Sequence, residues 1–215
     1  MSYERLTVFG TIRAVMLIPG SGPGKKPFLR LSVAVERLYR KVVKTEWYSV
    51  YLFSNLIEGK DISHYKVGRA IIAEGTPTTE LFEDKTTKEI RVDQMLKAIT
   101  WPELLPPSPQ FGPSGKARIH IAGKLGAIEM YGDEADPKRY AKLSVVVDKP
   151  RAKGGSVWYS VFMFQSLLKG HDLDRYRVGR TLLVEGNPEN AVFTDERGEA
   201  RVDRTIKATS WPDLA

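Results

Sequence analysis

Apolar and polar residues alternate with a period of two over much of this chain. Phe28 to Val35 reads FLRLSVAV, and Tyr140 to Val147 reads YAKLSVVV. Side chains at i and i+2 share one face of a strand, so each run predicts a strand with one face in a core. Leu6 to Val15, LTVFGTIRAV, predicts a first strand with a bulge or bend at Gly10. Trp47 to Phe53 predicts a third strand, and the spacing of Leu56, Ile57 and Tyr65 predicts a short helix within Ser54 to Lys66. Ala70 to Glu74, closed by Gly75, reads as a fourth strand. A hairpin tip follows from Glu80 to Arg91, carrying Phe82, and then a fifth strand from Arg91 to Ile99 ahead of Trp101-Pro102.

This whole pattern occurs twice. Trp47 to Gly75, WYSVYLFSNLIEGKDISHYKVGRAIIAEG, returns without a gap at Trp158 to Gly186 as WYSVFMFQSLLKGHDLDRYRVGRTLLVEG. Gly123 repeats Gly10, and Arg201 to Trp211 repeats Arg91 to Trp101. The repeat divides the 215 residues into two units of about a hundred each, long enough for separate cores. The expected boundaries are residues 1–105 for the first unit, 106–115 for a proline-rich linker and 116–215 for the second. The first loop, PGSGPGKKP from Pro19, is not a phosphate loop: Lys26 follows Lys25, and Pro19 stands where the first glycine belongs.

Composition narrows the function classes. There are no cysteines, which excludes disulfides and cysteine-based zinc or nucleophile chemistry. The opening MSYERLTVFG lacks a charged and then apolar leader, and no run approaches the ~18 apolar residues of a membrane span. A soluble intracellular protein with no membrane partner is therefore expected. The net charge is +7, with Lys/Arg exceeding Asp/Glu by 4 in residues 1–105 and by 3 in 106–215. A basic surface on both units favours a polyanion.

Catalysis finds little support. His64, His120 and His171 fall in no metal-binding frame, and the acids that recur in both units, such as Asp84/Asp195, have no recurring nucleophile beside them. The carboxylates Asp133, Glu134 and Asp136 read as solvated loop groups rather than a cation site. No metal and no cofactor are expected. The aromatics say more. Trp47, Tyr51 and Phe53 share one face of their strand, as do Trp158, Phe162 and Phe164. Such faces suit either base stacking or burial in a sandwich or dimer interface. Arg37, Arg40, Lys41 and Lys44 surround Tyr39 at one tip, and Lys149, Arg151 and Lys153 mark the matching tip. Each tip reads equally as a solvated hairpin or as an arm that tracks phosphates.

Five strands with a helix between the third and fourth is the order of the OB-fold, and the class expected is all-β with short helices: two tandem five-stranded barrels. The phrases EWYSVYLF…YKVGRAIIAEG and VWYSVFMF…YRVGRTLLVEG, followed by LFEDKTTKEIRVD and VFTDERGEARVD, resemble the bacterial-type single-stranded DNA-binding protein family in its two-barrel form. The family pattern is a Trp opening the third strand, a Phe closing it, a helix ending in Tyr-x-x-Gly, a strand ending in Glu-Gly, and an aromatic in the last hairpin. By this resemblance the base-stacking residues are Trp47, Phe53 and Phe82 in the first unit, and Trp158, Phe164 and Phe193 in the second. A further aromatic falls near Tyr39, where the second unit offers Arg151. Phe82 and Phe193 stand where Trp is more usual. The resemblance implies a non-catalytic protein that coats single-stranded DNA in replication, recombination or repair and pairs as a homodimer. Its location would be the cytoplasm with the nucleoid, or a host cytoplasm for a virus-encoded protein. Family members usually recruit replication and repair proteins through an acidic tail; this chain closes on Ser210-Trp-Pro-Asp-Leu-Ala215 without one. The alternative is a module for single-stranded RNA or for a replisome protein.

Overall fold

The alternating runs become strands whose inward members are almost completely dehydrated. The structure is a computed structural model and describes residues 2–20, 24–106, 115–133, 136–149, 155–169 and 173–215. The chain divides into two compact units. One is Leu6–Ala117; the other is Arg118–Ala215 together with Met1–Arg5.

The first unit is built from β1 (Tyr3–Ile18), β2 (Phe28–Tyr39), β3 (Val42–Leu52), α1 (Ser54–Ile57), β4 (Ala70–Glu83), β5 (Ile90–Ala98) and the short β6 (Glu103–Leu104). β1 pairs antiparallel with β2, and β2 with β3. β3 runs parallel to β5, β5 antiparallel to β4, and β4 returns antiparallel to β1. The order 1-2-3-5-4 closing on 1 is the five-stranded OB barrel. Leu29, Leu31, Val33 and Val35 of β2 and Tyr48, Val50 and Leu52 of the adjacent β3 line its interior side by side, all buried. The second unit repeats the closure with β7 (Lys116–Tyr131), β8 (Tyr140–Lys149), β9 (Gly155–Phe164), α2 (Gln165–Leu168), β10 (Thr181–Thr194), β11 (Ala200–Ala208) and β12 (Asp213–Leu214). Its pairings are β7–β8, β8–β9, β9–β11 (parallel), β11–β10 and β10–β7.

Several local expectations change. The irregularity in the first strand falls at Arg13, between Ile12 and Ala14, and not at Gly10. In the second unit it falls at Gly126, between Leu125 and Ala127, and not at Gly123. Gly10 and Gly123 serve close approach instead: a Cβ on either would meet a carbonyl oxygen of the next strand at 2.5 Å, that of Ala34 or of Val146. The helix stops after one turn at Ile57, where Gly59 takes φ +71°, and Tyr65 is buried from the following loop. The fourth strand does not end at Gly75. It continues to Glu83, which makes the 80–91 tip mostly strand and leaves Asp84 to Glu89 as the turn. The basic tip likewise contracts. β2 and β3 run on to Tyr39 and Val42, leaving Arg40 and Lys41 as a two-residue turn with φ of 47° and 68°. Such hairpin turns need positive φ at both positions.

The two units solve one core problem with different residues. In the first, the buried Tyr48 hydroxyl donates to Glu46 at 3.2 Å, and Arg37 pairs with the same carboxylate at 3.1 Å. The repeat position of Glu46 is Val157. In the second unit the buried Tyr159 hydroxyl donates instead to Glu4 at 2.6 Å, and Lys149 pairs with the other oxygen of Glu4 at 2.6 Å. Residues from the start of the chain thus complete the second barrel. Burial, then the adjacent Glu4, pushes the Tyr159 hydroxyl well above the ordinary tyrosine range, so it stays a donor.

Candidate nucleic-acid interface

Strand parity sorts the candidate side chains. On β3 the even residues Tyr48, Val50 and Leu52 fill the core, so Trp47, Ser49 and Tyr51 face outward, with Phe53 just past the strand. On β9 the inward set is Tyr159, Val161 and Met163, and Trp158, Phe162 and Phe164 face outward. Trp47 and Trp158 are each 55% exposed, so burial in a sandwich is ruled out within each unit.

Each outer face carries an aromatic ladder. In the first unit Phe28 lies 5.8 Å from both Tyr51 and Phe53, and the last two are 6.4 Å apart. In the second, Tyr140 lies 5.6 Å from Phe162, 6.4 Å from Phe164 and 4.7 Å from Tyr131, the last pair stacked. Phe82 sits on the outer face of β4 opposite Arg91, and Phe193 on β10 opposite Arg201; both rings are exposed. The turn beyond each ring is braced by a carboxylate. Asp84 accepts the backbone N–H groups of Thr86 and Thr87, and Asp195 those of Arg197 and Glu199. These amides hold both carboxyls below the usual aspartate range, with Arg91 and Arg201 adding to the effect.

The cations divide into paired and unpaired. Arg30 donates to Ser49 Oγ at 2.9 Å, Ser49 donates to Asp93 at 2.9 Å, and the Arg30 guanidinium lies 5.8 Å from the centre of the Tyr51 ring. Arg37 and Lys149 are held by Glu46 and Glu4. Lys207 pairs with Glu189 at 2.7 Å. Its repeat counterpart Lys97, beside Tyr51 in the ladder between β3 and β5, is exposed; Thr78 stands where the second unit has Glu189. At the β2–β3 tip, Arg40 and Lys44 lie 5.3 Å and 5.1 Å from the Tyr39 ring centre. Open aromatic faces beside cations can stack bases and meet phosphates.

Neither a family model nor a curated protein matches the chain. Solved structures do. Wild-type single-stranded DNA binding protein from Thermus aquaticus aligns with a TM-score of 0.60 and 15% sequence identity, over 100% of this chain and 93% of that one. A deletion mutant of that protein aligns with the same TM-score of 0.60 and identity of 15%, over 100% and 95% of the two chains. At this identity the likeness is one of fold, and it agrees with the tandem barrels described above.

The eight expected aromatics other than Tyr39 lie on the outer side of their barrels. Trp47, Tyr51, Phe53 and Phe82 point outward from the first barrel, and Trp158, Phe162, Phe164 and Phe193 from the second. Tyr39 does not join the first set. It has the parity of the core residues Val33 and Val35, on the opposite side of the β2–β3 ribbon from Trp47. Arg151, Lys153 and Glu134 lie outside the described residues. Phe28, Tyr140, Arg30 and Lys97 were not anticipated. Phe28 and Tyr140 open the two matched second strands, and that shared aromatic position was the available signal. Trp101 and Trp211 pack instead against Tyr65 and Tyr176, at 5.3 Å and 5.4 Å.

Proposed function

We propose that this protein binds single-stranded DNA, without a catalytic step, by laying bases on the two outer aromatic faces and phosphates against the flanking cations. The observation that carries this reading is the repeated exposed set: Trp47, Tyr51, Phe53 and Phe82, and Trp158, Phe162, Phe164 and Phe193. Large exposed aromatics on the outside of a barrel offer every base a π-face without demanding a sequence. The solved structures of the same fold carry the name of single-stranded DNA binding proteins, which supports the reading. Among the described residues no cluster of His, Asp and Glu is suited to hold a metal ion. The reading extends to coating of exposed strands in replication, recombination or repair, and to pairing of two chains into a four-barrel assembly, on the strength of the sequence resemblance alone.

Titration with oligo-dT, following tryptophan fluorescence, is expected to give saturable quenching. Oligo-U of the same length is expected to bind more weakly. Unquenched fluorescence with both ligands would overturn the proposal, and tighter binding of oligo-U would favour the RNA alternative.

A further inference from the structure

The bulges that interrupt the first strand of each barrel differ in one residue, and that difference lies under a stacking tryptophan. Gly126 is the extra residue of β7. A Cβ built there would come within 2.7 Å of Trp158 Cζ3 and 2.9 Å of Cη2, while its next neighbour, the Ser144 carbonyl oxygen, would be 3.5 Å away. The Cζ3–Cη2 edge of the Trp158 ring therefore takes the space that a side chain at position 126 would fill. No left-handed conformation requires glycine here, because Gly126 is not among the positive-φ residues. The absent side chain serves the indole and not the backbone. In the first barrel the same position is Arg13, whose guanidinium pairs with Glu36 at 2.6 Å.

We infer that Gly126 is a positioning residue for Trp158: it seats the edge of the indole against the strand and so fixes the ring that is presented to a base. This rests on the DNA-binding reading above. It makes the two barrels unlike at their central stack, with a bare glycine in one and an ion-paired arginine at the matching place in the other. A ring fixed in advance loses less freedom when a base settles on it, so binding gains from the seat as well as from the ring.

Gly126→Ala tests the inference with little risk to the fold. The clash falls on the far end of a surface side chain, and the backbone conformation accepts alanine. In full-length protein labelled with 5-fluorotryptophan, the fluorine resonance of Trp158 is expected to move, those of the other three tryptophans to stay, and thermal stability to be kept. Oligo-dT affinity should fall about threefold, against about fivefold or more for Trp158→Ala, the loss expected of one stacked base. An unmoved Trp158 resonance overturns the seating. A moved resonance with unchanged affinity overturns the role in binding. Should Trp158→Ala itself leave affinity unchanged, the stacking reading fails and this inference with it; a loss for Trp158→Ala alone defeats only the role of Gly126.

Discussion

Lys97 and Lys207 occupy the same repeat position but offer a phosphate different things. Lys207 is held by Glu189, whereas Thr78 leaves Lys97 without that partner. Counterions are released only by cations that neutralise phosphates, so Lys97→Ala should lower the salt slope of oligo-dT binding by about one, and Lys207→Ala by less. Affinities at three salt concentrations measure this; equal slopes for the two variants would refute it. The same imbalance bears on the tryptophans. Either Trp47→Ala or Trp158→Ala should weaken binding by about 1–3 kcal/mol. Trp47→Ala should lose more, because the first unit keeps Lys97 and the Arg40–Lys41 turn, while the second bears acids near its first loop at Asp133 and Asp136. Equal losses would sink the asymmetry. Trp101→Phe should lower the melting temperature and leave DNA affinity alone, since its ring packs on Tyr65 and beneath the Lys60 ammonium, 4.6 Å from the ring centre. Alternation made the parity of Trp47 and Trp158 readable from the chain. It could not show which lysines are paired, because ion pairs join residues far apart in sequence.

The β4–β5 and β10–β11 hairpins show what depends on a carboxylate at a turn. Asp84 and Asp195 have folded-state pKa values below their unfolded ones, so their support is present above the unfolded value of about 3.9 and is lost as pH falls through the folded value. Amide exchange at Thr86, Thr87, Arg197 and Glu199 is therefore expected to accelerate, after correction for intrinsic rates, as pH drops below about 4. In Asp195→Ala, which removes the acceptor, the protection at Arg197 and Glu199 should be weak already at neutral pH. Protection independent of pH and of this substitution would contradict the assignment. The existence and order of the strands were legible because period-two patterning persists in both copies. Their ends were not. β4 runs past Gly75 because a close approach to β5, rather than a turn, requires that glycine: a Cβ there would meet the Lys97 carbonyl oxygen at 2.1 Å. The predicted helix contracted to one turn because Ile57 and Tyr65 enter the core from separate segments, which a helical spacing only imitates.

For the whole molecule, the proposed assembly predicts a dimer by light scattering at micromolar concentration, and a monomer with intact DNA binding would refute it. The repeat made the two-barrel organisation plain. It concealed the exchange at the start of the chain, because Glu4 has no counterpart in the repeated pattern and its partners lie 155 residues away at Tyr159 and near it at Lys149. That exchange has a consequence for synthesis. A ribosome delivers Glu4 155 residues ahead of Tyr159, so the second barrel finishes on a group made long before the rest of it. The first barrel can reach its Tyr48–Glu46 bond from its own residues as it emerges. Glu4→Ala should therefore lower the stability of the second barrel by about 1–3 kcal/mol, the loss of an acceptor for a buried donor, and leave the first nearly untouched. Pulse-labelling hydrogen exchange during refolding would show protection at β9 arriving after that at β3, with the delay fixed by a closure that spans most of the chain.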